Sequence, residues 1–232
     1  MDSQRILVLG ATGGSGLAFV EQALSLPNPP HLTLYVRTPS KLPSEFQSQP
    51  GISIVVGGLS DFETLDSVMK SQSITTVVSF LGAYFSASAI IFRPKETPIA
   101  DSFPTIIRAM KANNVSRLIV LSTASFWITG KDISTWGLSI FGVMPKIFVP
   151  QGDAEMVRIA EVVSRDAAEQ DWTIFRVPHL TDGPSDLPVW AGYAGPGHRG
   201  GLNLSRRSLA MWVLNEISEP KWIRQAPFLG NY

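Results

Sequence analysis

The chain has 232 residues, 44% of them hydrophobic, and its 19 basic and 19 acidic residues leave a net charge of zero. That length can bury a sizeable core in one domain, residues 1–232, and the charge balance excludes the basic surface of an ordinary nucleic-acid binder. Without cysteine there are no disulfides, thiolate metal sites or thiol nucleophile, and the scattered His31, His179 and His198 lack metal-ligand spacing, so no metal is expected.

The first apolar run, Arg5–Leu9, reaches glycine too soon to be the core of a signal peptide, so a cytoplasmic protein is expected. Gly10, Gly13 and Gly16 follow, and "SGLAFVEQALSL" resumes with helical spacing. A second run, Leu32–Val36, ends in "RTPSK". A third, Ile52–Val56, precedes "DFETLDSVMKSQ", where Phe62, Leu65 and Met69 fall on one helical face. The fourth, Thr75–Leu81, lies in an uncharged stretch, Ser73–Phe92, long enough to span a membrane. Ser, Thr and Gly interrupt that stretch, so a buried strand with its loop is expected and no membrane. The helical pattern "SFPTIIRAMKANNV", a fifth run Leu118–Ser122, the helical "DAEMVRIAEVVSRDAAEQ" and a sixth run Trp172–Val177 complete the series.

Apolar strands alternating with amphipathic helices predict an α/β protein: a Rossmann-type, doubly wound parallel sheet in a single domain. Three long segments, Ala83–Pro98, Ala124–Pro150 and Thr181–Gly201, are expected as lid loops at the carboxyl ends of the strands, where such folds bind ligands.

The glycines carry the clearest chemical message. A helix that starts at a strand's end offers unpaired N–H groups and a partial positive charge to a pyrophosphate, provided no side chain intervenes. Gly10 would make the turn, Gly13 would admit the phosphates and Gly16 would let the helix approach the sheet; Thr12, Gly14 and Ser15 complete the expected loop. The spacing is G-x-x-G-x-x-G rather than G-x-G-x-x-G. An NAD site places a carboxylate at the end of the second strand. Arg37 stands there instead, backed by Thr38, Ser40 and Lys41, and a guanidinium clamps the 2′-phosphate that a carboxylate repels. NADP(H) is therefore the expected cofactor.

With these motifs the chain resembles the atypical short-chain dehydrogenase/reductases, and within them the NmrA-like and biliverdin/flavin-reductase-like NADP-binding proteins. "LVLGATGGSG" resembles the family's first turn and "VRTPSKL" its NADP-phosphate loop. "VVGGLSD" is similar to the adenine-side segment, which implies cofactor contact at Leu59. "VVSFLGA" is similar to the strand end beside the ribose, which implies Leu81 and Gly82. "NNVSRLIVLSTAS" and "DWTIFRVPHLTDGP" resemble the fifth and sixth strands with their following loops, which implies Ser122 and Pro178 near the nicotinamide, and "SRRSLAMWVLNEI" resembles the last helix. Two departures stand out. Gly58 replaces the family's usual aspartate, and the Tyr-x-x-x-Lys pair of the classical enzymes is missing, with no tyrosine between Ser122 and Trp172.

Hydride reduction also needs groups that polarise or protonate the acceptor. Ser122 and Thr123, after "LIVL", and His179, in "RVPHLTD", are the candidate catalytic residues. Tyr84, Ser125, Trp127, Trp136 and Trp190 are candidates for an apolar substrate pocket; the aromatic residues serve alternatively as a satellite core or a homodimer face. Lys131, Asp132, Lys146 and Asp153 are expected in capping or exposed roles, and Arg176 is expected to pair with a carboxylate or loop carbonyls. The expected function is an NADPH-dependent reductase acting on a carbonyl, imine or conjugated double bond of an apolar small molecule. The alternatives are a non-catalytic NADP(H)-sensing regulator of the NmrA-like kind and a non-redox isomerase or cyclase.

Overall fold

The computed structural model describes residues 4–82, 97–133 and 150–232. Ten strands are assigned among them: β1 Arg5–Leu9, β2 His31–Val36, β3 Ile52–Val56, β4 Thr76–Ser79, β5 Arg117–Thr123, β6 Asp171–Val177, β7 His179–Thr181, β8 Val189–Gly192, β9 Asn203–Ser205 and β10 Phe228–Asn231. The α-helices are α1 Gly14–Leu24, α2 Phe62–Ser71, α3 Phe103–Ala112, α4 Pro150–Asp166 and α5 Arg206–Ser218. Eight strands form one sheet in the order β3-β2-β1-β4-β5-β6-β10-β8, and β7 pairs with β9 in a second, two-stranded sheet.

Every pairing from β3 to β10 is parallel, and only β8 runs antiparallel, against β10. The first six positions are the 3-2-1-4-5-6 order of a doubly wound dinucleotide-binding sheet, as the sequence predicts. Continuous apolar strands arise because both faces are covered. On β1, Ile6 and Val8 pack with Phe19, Val20 and Ala23 of α1 and Leu209, Val213 and Ile217 of α5. Leu7 and Leu9 point the other way, into a core with Leu65 and Met69 of α2, Ile106 and Met110 of α3, and Ile159 and Val163 of α4.

Local signals set the ends of the helices. Asp61 caps α2 by accepting from Thr64 N at 3.1 Å and from the Thr64 hydroxyl at 2.6 Å, and these bonds hold its carboxyl below its usual pKa. Pro104 sits in the first turn of α3, and the chain leaves that helix through Asn114, at φ +55°.

The structure also corrects several sequence expectations. The fourth strand is shorter than Thr75–Leu81: it is assigned over Thr76–Ser79, and Phe80 N makes the last bond to β1, donating to Leu9 O at 2.9 Å. Thr181–Gly201 is not a lid throughout: Val189–Gly192 form the antiparallel edge strand, paired Phe228↔Gly192 through Asn231↔Val189. Most of the other two expected lids lies outside the described residues. Thr76–Ser79 are buried in a central strand, so Ser73–Phe92 is not one membrane helix. Among the described residues no helix is long and apolar enough to cross a membrane.

Candidate functional site

At the end of β1 the backbone of Gly10 adopts φ +82°, and a Cβ there would lie 2.8 Å from Phe80 C and 2.9 Å from Leu81 N. Both the left-handed conformation and the close approach of β4 therefore demand glycine. Gly13 N donates to Gly10 O at 3.1 Å and closes the turn. A Cβ on Gly16 would run into the carbonyl oxygen of Gly10 and stand 2.8 Å from Ala11 Cα, so the lack of a side chain lets α1 start directly on the strand end. Gly13 is the N-cap of α1 and offers no side-chain cap. The N–H groups of Gly14, Ser15 and Gly16 find no protein acceptor among the described residues. Unpaired donors at a helix N-terminus fit the pyrophosphate of a dinucleotide. Thr12 is half-buried and hydrogen-bonded at the rim of this loop.

The second strand brings its cations to the same edge. Arg37, Thr38 and Lys41 are exposed, and among the described residues neither Arg37 nor Lys41 is paired with a carboxylate. Lys41 lies in a single 3-10 turn, Pro39–Lys41, pinned by the buried Leu42. Gly57 N donates to Val36 O at 3.1 Å, which sets the neighbouring loop beside Arg37. Tyr35 crosses beneath that loop and donates to Gly58 O at 2.9 Å. Burial, with a smaller contribution from Asp61, pushes its phenol up to about 12, so it remains a donor. A Cβ on Gly57 would overlap the Tyr35 ring, whereas one on Gly58 meets nothing within 4 Å. The departure at Gly58 therefore has no steric cause in this fold. Leu59 is half-buried against the core, and Val56, 58% exposed, adds apolar surface next to it.

At the carboxyl ends of β4, β5 and β6 the candidate catalytic residues separate into different roles. Ser122 is fully buried and donates to Met156 O of α4 at 2.9 Å. Its hydroxyl ties β5 to α4, the strand-end hydrogen bond that is the alternative to a substrate contact. Thr123 donates to Asp153 Oδ1 at 3.2 Å, and Ser125 N donates to Thr123 Oγ1 at 3.4 Å. Both Thr123 and Asp153 are buried, so Asp153, expected in a capping or exposed role, forms a hydroxyl–carboxylate pair at the strand end. Gly82 lies against Met156 and Leu121, since a Cβ there would stand 3.2 Å from Met156 Sδ and 3.9 Å from Leu121 Cδ2. Strand register puts Thr123 beside Val177, directly before the half-buried Pro178 and the exposed His179. His179 Nδ1 is 3.1 Å from Asn203 Oδ1, and Nε2 has no partner among the described residues.

Beneath this end lies a buried ion pair. Arg176 is 1% and Asp132 0% exposed at the side chain. The guanidinium donates to Asp132 at 2.6 and 3.1 Å, to Phe126 O at 2.8 Å and to Ala226 O at 2.8 Å. Asp132 also accepts from Ile128 N at 2.7 Å and Ala194 N at 2.8 Å. Arg176 plays the structural part expected of it, whereas Asp132 is buried and not solvent-exposed. Of the aromatic candidates, Trp127 is 40% exposed, and Trp190 packs edge-on to His198 with ring centroids 4.3 Å apart. Tyr84 and Trp136 lie outside the described residues. Sequence reasoning missed the Thr123–Asp153 and Arg176–Asp132 pairs; the residues are 30 and 44 positions apart, and no local pattern links them.

A doubly wound sheet whose first strand ends in this glycine turn defines a dinucleotide-binding protein. The profile of the NAD(P)H-binding family matches residues 10–220, and the chain belongs to that family. Among solved structures it is similar to a short-chain dehydrogenase/reductase from Veillonella parvula in complex with NADP, with a TM-score of 0.75 at 18% identity over 98% of this chain and 94% of that one. It is also similar to an anaerobillin reductase from Escherichia coli O157:H7, with a TM-score of 0.73 at 16% identity over 98% and 97% of the two chains. A Rossmann-fold NAD(P)-binding protein from Shigella flexneri aligns with a TM-score of 0.65 at 21% identity over 98% and 93%. No curated protein sequence matches the chain. The fold is shared with these NAD(P)-binding proteins, a short-chain dehydrogenase/reductase among them.

Proposed function

We propose that the chain is an NADPH-dependent reductase of a carbonyl, imine or conjugated double bond in an apolar small molecule. The carrying observation is the buried Thr123–Asp153 pair at the end of β5, where Thr123 is in register with Val177 and the exposed His179 follows two residues on. It supplies polar groups where a nicotinamide extended from the glycine turn across the strand ends would arrive. Unpaired Arg37 and Lys41 support NADP(H) over NAD(H), because their charge complements a 2′-phosphate. The NADP complex and the reductase among the similar structures lend support at the level of the fold.

A bound NADPH supplies the hydride. The chain's own part is to hold the acceptor and a proton. Thr123 Oγ1 donates its one hydrogen to Asp153 and accepts from Ser125 N, and it can serve an acceptor oxygen as donor only by turning that hydrogen away from the carboxylate. His179 Nε2 faces solvent and can carry a proton in. Without Tyr-x-x-x-Lys no single group dominates, so positioning carries much of the rate. A cytoplasmic location belongs to this reading.

The test is NADPH oxidation by the purified chain with a panel of carbonyl, flavin and quinone acceptors. Turnover that disappears when NADH replaces NADPH is the expected result. Tight NADPH binding with no turnover on any acceptor would refute catalysis and leave the sensing module, and conversion without net NADPH oxidation would leave the isomerase or cyclase.

A further inference from the structure

The phosphate turn contains no cation of its own, since no Lys or Arg occurs between Arg5 and His31. A cation nevertheless lies against it. A Cβ built on Gly14, the first residue of α1, would stand 3.1 Å from Arg206 Nε and 3.3 Å from its Cδ. The missing side chain of Gly14 is thus the space that the Arg206 side chain occupies. Arg206 is the first residue of α5, which packs along α1 through Leu209, Val213 and Ile217, and the Gly14–Arg206 contact sets the two helix N-termini side by side.

Arg206 is badly placed for its own helix. Cations are disfavoured at a helix N-terminus, yet α5 begins Arg206-Arg207 and has no acidic residue in its first turn. The local partner is Asp182, which accepts from Arg206 Nη1 at 2.6 Å. That carboxylate is 91% exposed and the Arg206 side chain 27% exposed, so the pair stands in water and is weak. A guanidinium held loosely beside three unpaired N–H donors, in a chain of the NAD(P)H-binding family, is poised for an anion that outcompetes one exposed carboxylate.

We infer that Arg206 is a pyrophosphate-binding residue of the dinucleotide site, and that Asp182 is the exchangeable carboxylate that holds its guanidinium until the phosphates arrive. The inference rests on the dinucleotide reading of the glycine turn. It adds a ligand from the far end of the sequence, and it couples phosphate binding to the segment that follows β7, because the exchange releases Asp182.

NADPH affinity of the full chain, measured by calorimetry for the wild type, Arg206→Ala and Asp182→Asn, tests this. Competition with adenosine 2′-phosphate, which lacks the pyrophosphate, serves as the control. Arg206→Ala should raise the NADPH Kd by about tenfold or more and leave adenosine 2′-phosphate within about twofold of wild type. Asp182→Asn should leave NADPH binding as tight as in wild type or tighter, because it removes the competitor. Only Arg206→Ala thus weakens binding, whereas a salt bridge that merely props the loop would make both variants weaken it together. Wild-type NADPH affinity in Arg206→Ala, or equal weakening in both variants, overturns the assignment. A wild-type chain that binds neither NADPH nor NADH would instead bring down the dinucleotide reading, and this inference with it. Far-UV circular dichroism of the apo variants shows that each is folded.

Discussion

Asp132→Asn should be among the most destabilising conservative substitutions in this protein. The carboxylate is fully buried, neutralises the equally buried Arg176, and accepts two backbone N–H groups from separate segments, Ile128 and Ala194. The amide keeps the shape but leaves a guanidinium charged in the interior and turns one acceptor oxygen into a donor that faces other donors. Breaking one side of such a pair costs about 3–5 kcal/mol. At about 2–4 °C per kcal/mol for a chain of this size, the melting temperature should fall by roughly 6–20 °C. Thermal unfolding followed by circular dichroism reads this directly. Asp132→Asn with Arg176→Met should recover part of the loss, since the buried charge is then gone. A single variant that melts within about 2 °C of wild type would refute the reasoning, because it would mean that water reaches the pair.

Other expectations follow from the candidate site. Arg37→Asp should weaken NADPH binding by several kcal/mol, on the order of two charge-assisted contacts plus repulsion, and leave NADH much less affected; calorimetry showing equal losses would remove Arg37 from the 2′-phosphate site. Once an acceptor is found, Thr123→Val, Asp153→Asn and His179→Ala should each lower kcat by roughly 10- to 1000-fold with NADPH affinity kept, whereas Ser122→Ala should act on stability because its hydroxyl is bonded to Met156 O. Steady-state kinetics with wild-type turnover in Thr123→Val, Asp153→Asn and His179→Ala would sink that assignment. Burial lowers the pKa of His198 from 6.5, so below that pH the unfolded chain takes up a proton that the folded chain resists, and stability falls as pH drops. Melting temperatures measured from about pH 7 to about pH 5 should show this loss, and His198→Phe should flatten it.

Local pattern made the first half of the sheet readable before any coordinates. Arg5–Leu9 and Ile52–Val56 have the same bounds in sequence and structure, since each is a mostly apolar run stopped by glycine. The glycine turn was legible for the same reason: strand, glycines and helix lie next to one another in the chain. β8 and β10 were not, because "VWAG" and "FLGN" are too short and too rich in glycine to stand out, and their status as strands depends on pairing with each other and with β6. The polar pairs share that character. Thr123–Asp153, Arg176–Asp132 and Arg206–Asp182 span 30, 44 and 24 residues, and each side chain alone reads as an ordinary surface group. Of these partners only Arg176 could be assigned from its own surroundings, as a charge at the end of a buried run that needs a counter-charge.

The place of β10 has a consequence for how the chain is made. Residues 228–231 lie between β6 and β8, not at a rim, so a segment synthesised after both of its neighbours becomes an inner member of the sheet. Until it leaves the ribosome, β6 presents an open edge of unpaired backbone groups, and β8 has nothing to pair with. Folding on the ribosome can therefore assemble β1 to β6 early but must wait for residues 228–231 to close the sheet. During that interval the nascent chain exposes a ready template for wrong strand pairing, and the pairing that ends it joins residues far apart in sequence and is slow.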